Sequence, residues 1–222
     1  MKPYYEHKGI TIYHGDCREI IPTLAPPAAV VTDPPYGIDW KKGLNRAANS
    51  RQHKGIKGDK DTSVRDAALA LLKGVPAVVF GSFYAKYPED VKQVLVWHKP
   101  PDAGVVGSTT GYRRDAEPVF LVGDWPSRNV AWTSVLSSSK MSIAHVAKET
   151  GHPHTKPVDL MGQIIQRCPK GVVLDPFAGS GSTLVAAKLL GRVAIGIELE
   201  EAYCEIAALR LSQDLLDFGE AS

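Results

Sequence analysis

Val172-Val173-Leu174-Asp175-Pro176-Phe177-Ala178-Gly179-Ser180-Gly181-Ser182-Thr183 is an apolar run, a tight turn and the start of an Ala/Leu-rich helix. Glycine tolerates positive φ and lets a ligand approach the backbone closely, so such a turn presents a helix N-terminus to a bound molecule. About twenty residues further on, where dinucleotide folds place an acid for ribose hydroxyls, the run Val193 to Glu198 ends in Glu198. Together these describe the site of a nucleoside-bearing cofactor. The spacing Gly179-Ser180-Gly181 departs from G-x-G-x-x-G. Asp175, just ahead of the turn, would repel a phosphate and attract an ammonium such as that of a methionine moiety. A cationic cofactor therefore suits the turn better than a pyrophosphate, and a nicotinamide dehydrogenase is the enzyme alternative.

Working outward, short Val- and Ile-rich runs read as buried parallel strands at Ile10 to Tyr13, Ala28 to Asp33, Pro76 to Phe80, Gln93 to Trp97, Glu117 to Val122, Val172 to Asp175 and Val193 to Glu198. Apolar spacing of i, i+3, i+4 predicts helices over Thr62 to Leu72, Val158 to Cys168, Thr183 to Leu190 and Glu200 to Leu216. The alternation implies an α/β, Rossmann-like sheet, largely parallel, with helices on both faces. Only one strand and one helix follow the glycine turn. The half-sheet it begins must be completed by N-terminal strands, so the motif order is circularly permuted and one crevice joins both ends of the chain.

Asp33-Pro34-Pro35-Tyr36 closes the second of these strands, and ligands in open α/β sheets bind at the carboxyl ends of strands. Two prolines remove two backbone donors and restrict φ, leaving the carbonyls of Asp33 and Pro34 free to accept. The exocyclic amine of adenine or cytosine is a poor nucleophile, because its lone pair is delocalised into the ring. A carboxylate and a backbone carbonyl gripping its N–H groups would favour a pyramidal nitrogen facing a methyl sulfonium. Tyr36 offers an aromatic face for an extruded base. A Pro-Pro turn with a half-buried packing tyrosine is the lesser alternative for the tetrapeptide alone, and the glycine turn in the same chain weakens it further.

With 222 residues and 44% hydrophobic content the chain suits one domain over 1–222. Two stretches stand apart from the core pattern. The basic stretch 37–61 carries Lys41, Lys42, Arg46, Arg51, Lys54, Lys57 and Lys60 and, following directly on Tyr36, reads as a mobile, DNA-facing loop; a merely solvated loop is the lesser alternative. The stretch 101–153 is rich in Gly, Ser, Thr and Arg and reads as a small recognition insertion rather than core, with Arg113 and Arg114 serving phosphates or guanine edges or, equally, a surface without specificity. The net charge of +2 puts any polyanion site in such local clusters. Cys17, Cys168 and Cys204 lack metal-ligand spacing, and His145, His152 and His154 are joined by no acid or thiol at ligand spacing, so no metal is expected. The polar Met1 to Gly9 start and the lack of a long apolar run point to a cytoplasmic protein.

These residues resemble the permuted β group of DNA amino-methyltransferases, which act on adenine N6 or cytosine N4 with S-adenosylmethionine, and the resemblance spans nearly the whole chain. Thr32-Asp33-Pro34-Pro35-Tyr36-Gly37 is similar to the family's catalytic motif, which assigns catalysis to Asp33, Pro34, Pro35 and Tyr36. His14-Gly15-Asp16-Cys17 resembles the turn that meets the cofactor adenine, with Asp16 accepting from its amino group. Val96-Trp97-His98-Lys99-Pro100 resembles a late-strand signature beside the base pocket. His154-Thr155-Lys156-Pro157 resembles the segment whose Thr and Lys meet the cofactor carboxylate. The resemblance thus gives a cofactor set of Asp16, Cys17, Asp33, Thr155, Lys156, Asp175, Phe177, Gly179, Ser180, Gly181, Ser182, Thr183 and Glu198.

What the resemblance implies is site-specific methylation of a flipped adenine in DNA, releasing S-adenosylhomocysteine, in a bacterial or phage-encoded enzyme. Asp at position 33 leans toward adenine, and cytosine N4 is the alternative. A catalytically silent DNA-binding module is the alternative from another class. The recognition stretch is short for the family, which implies a short target or help from a second subunit as a homodimer. A restriction endonuclease is the further partner that such enzymes have.

Overall fold

In a computed structural model, residues 1–38, 59–100, 111–138 and 155–213 are described. Nine strands form one sheet: β1 (Tyr5–His7), β2 (Ile10–His14), β3 (Ala29–Thr32), β4 (Ala77–Phe80), β5 (Val91–His98), β6 (Ala116–Val122), β7 (Val135–Ser137), β8 (Val173–Asp175) and β9 (Ala194–Glu198). The order across the sheet is β1-β2-β9-β8-β3-β4-β6-β5-β7. The C-terminal strands β8 and β9 are thus inserted between the N-terminal strands β2 and β3, all in parallel. This is the permuted order the sequence predicts, and it pairs residues as distant in sequence as Ala29 and Val173, or Ile10 and Ala194.

All seven expected strands are present, two of them with a different pairing. β6 runs antiparallel to both β4 and β5, so the hairpin β5–β6 folds back and inserts its second strand next to β4. The stretch 101–153, expected to carry recognition rather than core, therefore supplies a central strand whose Val119 and Phe120 are buried. β1 and β7, three residues each and mostly exposed, lack the apolar run that marks the equally short β8.

Period-two alternation explains how the sheet is covered. Val31 and Val78 face one side and Val30 and Val79 the other, and each pair joins a different apolar cluster. The first side is covered by α3 (Val158–Arg167), α4 (Ser182–Leu189) and α5 (Glu201–Ser212). The second is covered by the short α1 (Cys17–Ile20), the 3-10 turn Ile21–Thr23 and α2 (Ser63–Leu71). On α3 the residues Leu160, Met161, Ile164 and Ile165 are at most 3% exposed. Burial of each such side chain stabilises the fold by roughly 1.5–3 kcal/mol.

The basic stretch Lys41 to Lys57 lies outside the described residues, as do His145, His152, His154 and residues 214–222. The two ends of the basic stretch are fixed. Asp59 is 3% exposed and its carboxylate accepts from the Gly37 backbone N–H at 2.8 Å. Among the described residues no helix is long and apolar enough to cross a membrane.

Candidate active site

The carboxyl ends of β2, β9, β8, β3 and β4 open into a cavity of about 450 Å³, within the range that holds small-molecule ligands. Its wall contains Asp16, Cys17, Asp33 to Tyr36, Thr155, Lys156, Phe177, Gly179, Ser180 and Glu198, so the expected cofactor and catalytic segments meet in one place. Lys99 and Glu117 line it too, and Arg114 and Tyr84 stand at its mouth, the guanidinium 5.2 Å from the ring centroid. Arg113 is exposed and outside the wall.

Asp175 organises the glycine turn. It is 2% exposed; Oδ1 accepts from the Thr32 hydroxyl at 2.7 Å and the Phe177 N–H at 3.1 Å, and Oδ2 accepts from the Thr183 hydroxyl. Asp175 lines the cavity, and with both oxygens so engaged it offers a ligand mainly its negative field. Burial raises its pKa to about 6, against the three hydrogen bonds, which lower it.

Gly179 and Gly181 have φ of 51° and 83°, and Gly181 caps α4 in the left-handed region. A Cβ on Gly181 would lie 2.9 Å from the Cβ of Ala207. Gly181→Ala combines backbone strain with this clash and is expected to cost about 1–3 kcal/mol, read as a lower urea midpoint. An unchanged midpoint would show that α5 yields freely. Glu198 accepts backbone N–H bonds from Gly179 at 2.8 Å and from Glu200 at 2.8 Å. Burial raises its pKa, with those N–H groups opposing. Asp16 caps α1 through the Arg18 N–H and pairs with the Arg18 side chain. Cys17 is a neutral thiol, pushed up to about 11 by burial.

The catalytic segment holds a second polar cluster. Tyr36 OH donates to Asp33 Oδ1 at 2.7 Å, and Lys156 Nζ donates to Asp33 Oδ2 at 2.7 Å and to Tyr36 OH at 3.1 Å. Lys156, expected beside the cofactor carboxylate, lines the cavity with its ammonium on Asp33 and Tyr36. Successive side chains of an extended segment diverge, so Thr155 reaches Ser180 in the glycine turn at 3.1 Å while Lys156 points the other way. Burial lowers the lysine pKa, but Asp33 and Glu117 outweigh it and hold the ammonium above its usual value. The Tyr36 hydroxyl is pushed well above its usual range by burial and by Asp33, so it remains a donor.

Glu117 was not anticipated as a site residue. Its Oε1 pairs with Lys99 Nζ at 2.6 Å, and its Oε2 lies 3.5 Å from Lys156 Nζ. Burial raises its pKa, but Lys156 and Lys99 more than offset this and keep it ionised. A charge at the head of the apolar strand Glu117 to Val122 was the available signal, since buried charges require partners. Of the Val96 to Pro100 signature, Trp97 is buried and Lys99 lines the cavity, whereas His98 faces outward toward Asp115. Among the described residues no group of three or more His, Cys, Asp or Glu is arranged to hold a metal.

A family model described as DNA methylase (N6_N4_Mtase) matches residues 85–209. The putative methylase YubD of Escherichia coli K12 is 31% identical over 216 residues, covering 89% of this chain and 88% of that protein. Type II methyltransferase M.ScaI of Streptomyces caespitosus is 26% identical over 265 residues, covering 96% and 84% respectively. Among solved structures, the M1.HpyAVI complex with S-adenosylmethionine superposes with a TM-score of 0.62 at 26% identity, covering 92% of this chain and all of that one. The cytosine-N4-specific PvuII methyltransferase, at 18% identity and a TM-score of 0.70 over 96% of this chain and 90% of its own, shares the fold.

Proposed function

Since the chain belongs to the N6-adenine/N4-cytosine family of S-adenosylmethionine-dependent DNA methyltransferases, we propose that the atom it methylates is adenine N6, on a base flipped out of the duplex. The observation that carries this reading is the placement of Asp33 at the end of β3, in the same cavity as the glycine turn after β8.

The cavity fits the cofactor. Gly179 leaves part of the wall without a side chain, Glu198 stands at the end of β9 for ribose hydroxyls, and the N-terminus of α4 favours a carboxylate. Asp16 is placed for the adenine amino group, and Thr155 beside Ser180 for the methionine end. The cofactor supplies an electrophilic methyl on a sulfonium. Asp33 and the Pro34 carbonyl grip the exocyclic amine and pyramidalise it. Transfer of that methyl would leave positive charge on the amine nitrogen, which the Asp33 carboxylate would stabilise before taking the surplus proton. Tyr36 provides the stacking face.

Arg114 at the cavity mouth reaches DNA in this reading, and Lys41, Lys42, Arg46, Arg51, Lys54 and Lys57 bind phosphates from the stretch between Gly37 and Asp59. Incubation of unmethylated DNA with the protein and labelled S-adenosylmethionine, then digestion to nucleosides and mass spectrometry, is expected to give N6-methyladenine. Label on cytosine N4 with none on adenine would overturn the adenine assignment.

A further inference from the structure

We propose that Glu117 is a positioning residue for methyl transfer, receiving the Lys156 ammonium when the target amine displaces it from Asp33; this rests on the Asp33 clamp described above. Both oxygens of Asp33 are engaged, Oδ1 by the Tyr36 hydroxyl and Oδ2 by Lys156 Nζ, each at 2.7 Å. An amine held on Oδ2 would stand beside that ammonium. Its nitrogen turns cationic as the methyl arrives, so the lysine opposes the charge that Asp33 has to stabilise. Lysine has three donors and no acceptor, so it cannot take the proton either.

An alternative seat for the ammonium is already built. Glu117 Oε2 is 3.5 Å from Lys156 Nζ, fully enclosed and without a hydrogen-bond partner. A shift of less than about 1 Å brings the pair to charge-assisted hydrogen-bond distance. The other oxygen of Glu117 is fixed by Lys99 at 2.6 Å, so the carboxylate stays in place while Lys156 changes partner. The rings of Tyr36, Phe80 and Trp97 lie 5.5, 5.1 and 5.9 Å from the ammonium and hold the cation by their π faces. In the exchange no bond is made to the lysine and no proton leaves it. The surplus proton of the methylated amine still goes to Asp33.

Glu117→Gln keeps the shape and removes the charge that receives the ammonium. In single-turnover assays it is expected to slow methyl transfer by about 10- to 100-fold, with cofactor affinity within about twofold of the unsubstituted protein. In a Lys156→Met background no ammonium needs a seat, so the same substitution should change the rate by less than about twofold. Equal losses in the two backgrounds, or no loss in the first, overturn the proposal. The unsubstituted protein gives a second test that needs no variant. In its complex with target DNA and a non-transferable cofactor analogue, Lys156 Nζ should sit on Glu117 Oε2 with the amine on Asp33. Lys156 still on Asp33 Oδ2 beside the bound amine overturns it. An unsubstituted protein that methylates no exocyclic amine refutes the Asp33 clamp, and the exchange with it; methylation without a Glu117 effect refutes the exchange alone.

Discussion

Asp33→Ala is expected to slow methyl transfer by about 10³-fold or more while S-adenosylmethionine affinity stays within about tenfold. The two effects separate because the residues that would hold the cofactor, in the glycine turn and at Glu198, are anchored without Asp33. Lys156 does not become an orphan buried charge in this variant, since Glu117 lies 3.5 Å away and can take it up. What disappears is the acceptor that pyramidalises the amine and receives its proton. Equilibrium binding of the cofactor, beside single-turnover methylation of DNA, measures both halves. Unchanged turnover would remove Asp33 from the mechanism.

The contrast between Asp33 and Lys156 shows what sequence reading reaches. Asp33, Asp175 and Glu198 each end an apolar run, and a strand end in an open α/β sheet is a site position by topology alone. Lys156 sits next to Thr155 in sequence and was assigned the same partner. One step along an extended chain turns a side chain to the other side, so Thr155 meets Ser180 and Lys156 meets Asp33. The same limit applies to the sheet. The permuted insertion of β8 and β9 between β2 and β3 follows from the position of the glycine turn in the chain. The reversal of β6 does not, because a buried antiparallel strand such as Ala116–Val122 has the same apolar run as a parallel one. The run Glu117 to Val122 carries no sign of its direction, and only in the hairpin does Glu117 face the cavity between Lys99 and Lys156.

Asp175→Ala should have the opposite signature to Asp33→Ala, losing the fold and the cofactor together. Asp175 joins the end of β8 to Thr32 at the end of β3, to Phe177 in the turn and to Thr183 in the first turn of α4. Alanine leaves those three donors without their acceptor in a site 2% exposed, and each such group costs about 1–3 kcal/mol. A net loss on the order of 3–5 kcal/mol is expected in urea unfolding at pH 7.5, with no measurable cofactor binding. Part of the cost is recovered because a desolvated carboxylate is also removed, and that part depends on pH. The carboxyl has a pKa of about 6 in the folded protein against an ordinary 3.8, so between these values the folded state binds the proton more firmly than the unfolded chain. The contribution of Asp175 to stability therefore increases as pH falls from above 6 toward 4, and is least favourable above 6. Unfolding compared at pH 7.5 and 5.5 should show this increment in the unsubstituted protein and not in Asp175→Ala, after the shared response of the other carboxylates is subtracted. Asp175→Asn keeps one acceptor oxygen and should lose less stability while showing the same flattened response. If Asp175→Ala matches the unsubstituted protein in midpoint and cofactor affinity, the turn is held by its glycines and by Glu198 rather than by Asp175.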